Sequence, residues 1–238
     1  MPIAIVSEQT SIAHRNALES EGFAVLPCPP SRNLPAPIAH HPDMVMAKLG
    51  ETVFCHEGYF SENGAFFSAL SALCPHIRVV GLSDAPGAQY PSDCAYNLLK
   101  MGERAFFNPK GLSPTLTRIL SKNGLYACHT RQGYAACTVC ALGERHAITA
   151  DRGMAAALTR EGISVLTIRE GHIALVPYAH GFIGGASGCF QSTVYFFGDL
   201  ASHPDAEAMH CFAGEAGFSL KSLSSEPLCD LGGILFID

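Results

Sequence analysis

The sequence predicts an α/β fold: a closed pseudo-fivefold ring, an α/β propeller, of five strand-strand-helix-strand units with strands inside and helices outside. Three observations lead there. Two short apolar runs, a helix-like stretch and a third apolar run recur from starts near residues 41, 91, 134, 182 and 228, and periods of this length mark repeat architectures. The fifth start lies so near the C-terminus that its unit must finish at the N-terminus. An open array carries polar caps at its two ends, whereas here the ends are two halves of one unit.

The first complete unit opens at His41–Cys55, HPDMVMAKLGETVFC. It reads as two apolar runs, MVMAKL and TVFC, around a Gly-Glu turn, the signature of a β-hairpin. Ser61 follows, then a helical face of Ala65, Phe66, Ala69, Leu70 and Leu73, then the run IRVVGL. The second unit is YPSDCAYNLLKMGERAFF, a helix opened by Ser113-Pro114 and ended by Gly124, and LYAC. The third is GYAACTVCALGERHAIT, a helix from Asp151 to Gly162, and ISVLTI. The fourth is GFIGGASGCFQSTVYFF, a helix around Asp205–Ala216, Gly217, and FSLKSL. LCDLGGILFI at the C-terminus joins PIAIV, a helix from Ser11 to Glu21, Gly22 and FAVL as the fifth. Glycine just after each helix suits the left-handed closing residue.

Length and composition place these units in one domain spanning residues 1–238. With 48% hydrophobic and 15% charged residues, the chain buries a substantial core and carries no disordered segment. A net charge of −6 with only 15 Lys plus Arg excludes a basic nucleic-acid surface. No apolar run approaches the roughly 20 residues of a membrane span. MPIAIVSEQ lacks the charged n-region and apolar core of a signal peptide. The ten cysteines sit largely in apolar runs, which predicts buried free thiols and a cytoplasmic location.

Three long connections, Cys28–His40, Asp84–Tyr90 and Glu170–Gly181, each lead from the last strand of one unit to the first of the next. They are expected to gather at one end of the ring as pocket walls, with His172 and His180 of the third facing that pocket. Polar residues concentrate where the hairpins begin: His41 and Asp43; Asp93 and Asn97; Tyr134 and Cys137; Gly184 and Gly185; Asp230 before Gly232-Gly233. On alternating strands His41 and Asp43 share a face, as do Asp93 and Asn97. If all first strands surround the axis, these residues converge on one site. Cys137-x-x-Cys140 is a weak zinc pattern, since residues three apart on a strand face opposite ways, and no metal is expected.

The five-unit ring resembles the guanidine-modifying, or pentein, superfamily along essentially the entire chain. That superfamily includes arginine and agmatine deiminases, dimethylarginine hydrolases and amidinotransferases. His41-Pro42-Asp43 resembles its H-x-D motif, and Asp230-Leu231-Gly232-Gly233 is a looser likeness of its acidic-Gly-Gly element. The resemblance implies a thiol hydrolase or deiminase acting, without a cofactor, on a small guanidino or amidino molecule at the ring axis. In that reading Asp43, Asp93, Asn97, Tyr134 and Asp230 bind the cation, a carboxylate pairing with guanidinium through two charged hydrogen bonds. A cysteine attacks carbon and His41 transfers protons. Family order points to Cys94 as the nucleophile, though the neighbouring Asp93 disfavours its thiolate. Cys137 lies among small residues, but counting back from the turn glycines gives it the opposite parity to Asp43. The alternative is a non-catalytic member of the fold that binds a small molecule or a protein partner, as the ribosome anti-association factor of this architecture does.

Overall fold

The computed structural model describes all 238 residues. They form fifteen strands in five three-stranded sheets, and each sheet pairs its first strand antiparallel and its third parallel to the middle one. The sheet containing both termini places β1 (Ile3–Ser7) between β2 (Ala24–Cys28) and β15 (Leu235–Ile237). Ile3 pairs with Ile237 and Ile5 with Leu235, so the split unit is real. The other sheets are β3 (Met46–Leu49), β4 (Thr52–His56) and β5 (Arg78–Leu82); β6 (Leu99–Met101), β7 (Arg104–Phe107) and β8 (Tyr126–His129); β9 (Val139–Leu142), β10 (His146–Thr149) and β11 (Ser164–Thr167); and β12 (Ser187–Phe190), β13 (Thr193–Phe196) and β14 (Ser219–Ser222).

Local chemistry explains the connections. Two hairpins turn through Gly50-Glu51 and Gly102-Glu103, with φ of 57° and 61° at the glycines. Positive φ at the first central residue gives a turn whose twist matches the strands. The parallel crossovers run through α1 (Ile12–Ser20), α3 (Glu57–Glu62) with α4 (Gly64–Leu73), α5 (Pro114–Lys122), α6 (Arg152–Arg160) and α7 (Ala206–Glu215). Ser113 caps α5 by accepting the Leu116 N–H at 3.0 Å, and Asp151 caps α6 by accepting that of Met154 at 2.8 Å. The single helix expected after Ser61 is instead the pair α3 and α4, broken at Asn63, so Ser61 lies inside α3.

Alternate residues of each middle strand enter different cores, as the two-residue period requires. Ile3 and Ile5 pack with Val53, Cys55 and Leu70 in one cluster. Phe54 joins Ala105, Phe107 and Leu116 in the next, and Phe106 joins Ala147 and Leu158. Ile148 joins Val194, Phe196 and Met209. Tyr195 then meets Ala4, Val6 and Leu18. Each cluster therefore links consecutive sheets, and the last links the fourth unit back to the terminal one. Burial on both faces is why the middle strands are continuously apolar.

Candidate active site

The polar residues that open each unit do not lie on strands. His41 is the N-cap of a short helical turn, α2 (Pro42–Val45), and β3 begins only at Met46. Proline at the first helical position presets this turn, so the alternating-strand placement of His41 and Asp43 is corrected. Asp93 likewise sits in a 3-10 turn, Ser92–Cys94, with Asn97 just beyond it. Cys137 occupies a turn over residues 135–138 and Gly184 and Gly185 one over 183–186.

These turns are fastened to one another. Asn97 donates to the Asp43 carbonyl at 3.1 Å and accepts the Ala136 N–H at 2.8 Å. The Gly185 N–H bonds to the Cys137 carbonyl at 2.9 Å, and the Asp43 N–H to that of Gly232 at 3.2 Å. A Cβ at Gly184 would overlap the Ala136 carbonyl, one at Gly185 the Asp230 carboxyl and one at Gly232 the His41 side chain. The glycines thus permit close passage of backbones.

On one side of these turns lies a cavity of about 260 Å³. His41, Cys137 and Asp230 line it together with Tyr134, Ile38 and Met44, and the third long connection covers it with Leu175, Tyr178, Ala179 and His180, followed by Phe182. His41 Nδ1 is 3.7 Å from Asp230 Oδ1, and both side chains are almost wholly buried. Burial pushes the imidazole down to about 3, so His41 is neutral, with a lone pair available. Asp230 accepts the N–H groups of Phe182 at 2.9 Å and Gly232 at 3.0 Å, yet burial still raises its carboxyl to about 6. Tyr134 donates its hydroxyl to Asp93 Oδ2 at 2.6 Å and stands 6.1 Å, centre to centre, from the Phe182 ring. His180 Nε2 lies 3.1 Å from Glu170 Oε1 at the rim.

The Cys137 thiol accepts from Asn97 Nδ2 at 3.1 Å and bonds with the Asp43 carboxyl. Parity had separated Cys137 from Asp43; because both sit in turns, that count does not apply. Burial, then the negative charges of Asp43 and Asp230, hold the thiol well above its ordinary pKa. Burial and Asp230 likewise raise Asp43, whose Oδ1 accepts no conventional N–H or O–H hydrogen bond. A cation in this cluster reverses the charge contribution to both shifts. Two acids and a thiol buried together are mismatched unless something positive joins them.

Not every expected residue faces the cavity. Asp43 lies behind the thiol and lines a second cavity, on the strand side of the turns. Asp93 and Asn97 are buried supports, the former for Tyr134 and the latter for Cys137. Cys94 donates to Asp93 Oδ1 at 3.3 Å and is absent from the lining; burial and the Asp93 charge raise its pKa strongly. His172 meets His203 edge to face, 5.3 Å between centres, while His180 does face the cavity. The apolar wall of Ile38, Met44, Leu175 and Phe182 carried no sequence signal beyond its place in, or next to, the long connections.

Comparisons with known proteins agree with this architecture. A family model described as "Family of unknown function (DUF6873)" matches residues 5–235. No curated protein matches the chain. Among solved structures it is similar to the dimethylarginine hydrolase DDAH from Pseudomonas aeruginosa, a mutant complexed with citrulline, at 11% identity and a TM-score of 0.61, covering 94% of this chain and 91% of that one. It is also similar to an amidinotransferase from Microseira wollei, at 13% identity, TM-score 0.59 and coverages of 93% and 88%. The agmatine deiminase of C. jejuni gives 9% identity, TM-score 0.53 and coverages of 92% and 75%. The chain shares the pentein fold of these guanidine-modifying enzymes.

Proposed function

The chain belongs to the DUF6873 family, and from its geometry we propose that it hydrolyses the C–N bond of a small guanidino or amidino cation, with Cys137 as nucleophile. The single observation carrying this reading is that Cys137, His41 and Asp230 line one cavity. The five sheets close, in this reading, into a propeller whose axis passes through the fastened turns. Support comes from the core clusters linking each sheet to the next and from a cavity touched by the first strand of all five.

The planar cation enters beside Asp230 and against the aromatic rings of Tyr134 and Phe182, whose faces favour positive charge. Its charge lowers the thiol pKa, and the neutral His41 imidazole accepts the thiol proton. The Cys137 sulfur then bonds to the central carbon, and the departing amine takes the proton back from His41. Water attacks the resulting thiouronium carbon and loses one proton to His41. The C–S bond then breaks, His41 returns that proton to the departing thiolate, and the product sheds its remaining excess proton to solvent and leaves as a urea. Asp43 stabilises the positive charge from behind the thiol, Asn97 orients the sulfur, and Asp93 orients Tyr134. No Lys or Arg lines the cavity, so a carboxylate tail has no cationic partner in it, and a guanidine with an apolar or neutral tail fits better than an α-amino acid.

Urea or ammonia release from a panel of alkylguanidines and amidines tests the proposal. Cys137→Ser should abolish turnover while calorimetry still shows binding. A second reading, a binding protein, rests on the raised thiol pKa; saturable binding with no turnover of any panel member would favour it.

A further inference from the structure

The cavity on the strand side of the turns is separate from the one just described and has a different character. It measures about 280 Å³ and is lined by residues of β3, β6, β9, β12 and β15, with Leu99, Val139 and Leu235 among its walls. Its charged lining residues besides Asp43 are Lys48 and Lys100. These lysines occupy the same register in neighbouring sheets: Lys48 faces Val53 and Lys100 faces Ala105, each two residues before its turn glycine. Equivalent positions in adjacent repeats bring both ammonium groups to one mouth.

Neither ammonium has a carboxylate oxygen within 4.0 Å. Lys100 is exposed and Lys48 half-buried. Burial, then the charge of Lys100, lowers the pKa of Lys48, opposed only in part by Asp238 and Cys74. Half-buried Lys48, with a second cation near it and no carboxylate oxygen in reach, carries an electrostatic cost beside this cavity, and exchanging either lysine for a neutral residue would lessen it. An anion between them lessens it as well, and the cavity provides room for that anion's apolar body.

We propose that this mouth is a second ligand site, taking a small organic carboxylate whose head lies between Lys48 and Lys100 and whose apolar body enters the cavity. The Lys48 and Lys100 heads supply charge-assisted donors, three hydrogens each. Leu99, Val139 and Leu235 supply the apolar contact, so each methylene buried against them tightens binding. Affinity therefore rises with chain length until the cavity is filled. Asp43 at the inner end disfavours a second negative charge there, so a monocarboxylate fits better than a dicarboxylate. The site does not require Cys137 or His41, and it stands whether or not the other cavity is catalytic.

Isothermal calorimetry with acetate, butyrate and hexanoate at fixed ionic strength, with inorganic phosphate and adipate as controls, tests this. Hexanoate should bind one-to-one and more tightly than butyrate and acetate. The Lys48→Met/Lys100→Met variant should bind hexanoate at least tenfold more weakly, with an unchanged far-ultraviolet spectrum and unchanged binding of an alkylguanidine. Lys48→Arg/Lys100→Arg should restore carboxylate binding. The assignment is overturned by no saturable hexanoate binding, by phosphate or adipate binding as tightly, or by hexanoate affinity that survives loss of both lysines. Should the methionine variant not fold, acetylating the lysines of the folded protein and repeating the hexanoate titration gives the same discrimination.

Discussion

Asp230 gives the account a quantity to measure. Its carboxyl is fully enclosed, 3.7 Å from His41, and burial raises it from 3.8 to about 6. A raised folded-state value means the folded protein holds the proton more tightly than the unfolded chain. The associated stabilisation is complete below the unfolded value and is lost as pH rises through about 6. Two pKa units correspond to about 3 kcal/mol. The stability difference between wild type and Asp230→Asn should therefore fall by roughly that amount between pH 4 and pH 8. Binding runs the other way, because a guanidinium pairs with ionised Asp230. Affinity for an alkylguanidine should fall about tenfold per pH unit below 6, the limit for one linked proton, and level off above it. His41, held down to about 3, stays neutral across that range. Urea titrations at six pH values measure the first effect and calorimetry the second. Asp230→Asn separates Asp230 from the ionisable groups of the rim, His180 and Glu170 among them. A stability difference independent of pH, or an Asp230→Asn protein with the wild-type pH dependence of binding, would refute the assignment.

Other predictions address the fold and the supports of the site. Deleting residues 231–238 removes β15 and the buried Ile234 and Ile237, about 3–6 kcal/mol of apolar burial before hydrogen bonds are counted. That approaches the whole stability of an ordinary domain, so the truncated chain should lose its cooperative melting transition; an unchanged melting temperature would contradict closure through the split unit. Ser113→Ala removes a cap that also donates to Asp84 at 2.6 Å and should cost about 1–2 kcal/mol by urea titration. Asn97→Leu, by leaving the Ala136 N–H without an acceptor, should destabilise by about 1–3 kcal/mol and slow alkylation or turnover at Cys137, whereas Cys94→Ala should leave turnover intact.

The five sheets, and the one that both chain ends share, were legible because their segments carry similar local signals. Apolar middle strands recur in all five sheets, a turn glycine follows the first strand in three of them (Gly50, Gly102 and Gly143), and Ser or Asp opens the α5 and α6 crossovers. The site was legible as a set of residues and illegible as a geometry. His41, Cys137 and Asp230 meet as the convergence of the unit starts implies, but through turns that no strand periodicity describes. Pro42 was the local cue: a proline suits the first position of a helical turn and marks His41-Pro42-Asp43 as a turn start rather than a strand. The parity count failed for the same reason, since alternation has meaning only on a strand. Cys94, favoured by family order, is drawn away by its neighbour Asp93, as adjacent charge implied. Lys48 and Lys100 were hidden because each is an ordinary strand lysine alone, and only the register between sheets pairs them.

The most direct test of the central claim is the rate at which a cationic and a neutral electrophile of equal size modify Cys137. Chloroacetamidine and chloroacetamide differ in charge at neutral pH, and peptide mapping distinguishes Cys137 from the exposed Cys211 and half-buried Cys189 and Cys229. The account predicts that the amidine modifies Cys137 selectively, that an alkylguanidine protects against it, and that the neutral amide modifies Cys137 much more slowly, because burial and the charges of Asp43 and Asp230 hold the thiol protonated and only a cation offsets those charges. Equal rates for the two reagents at Cys137, or an amidine adduct confined to the accessible cysteines, would contradict it.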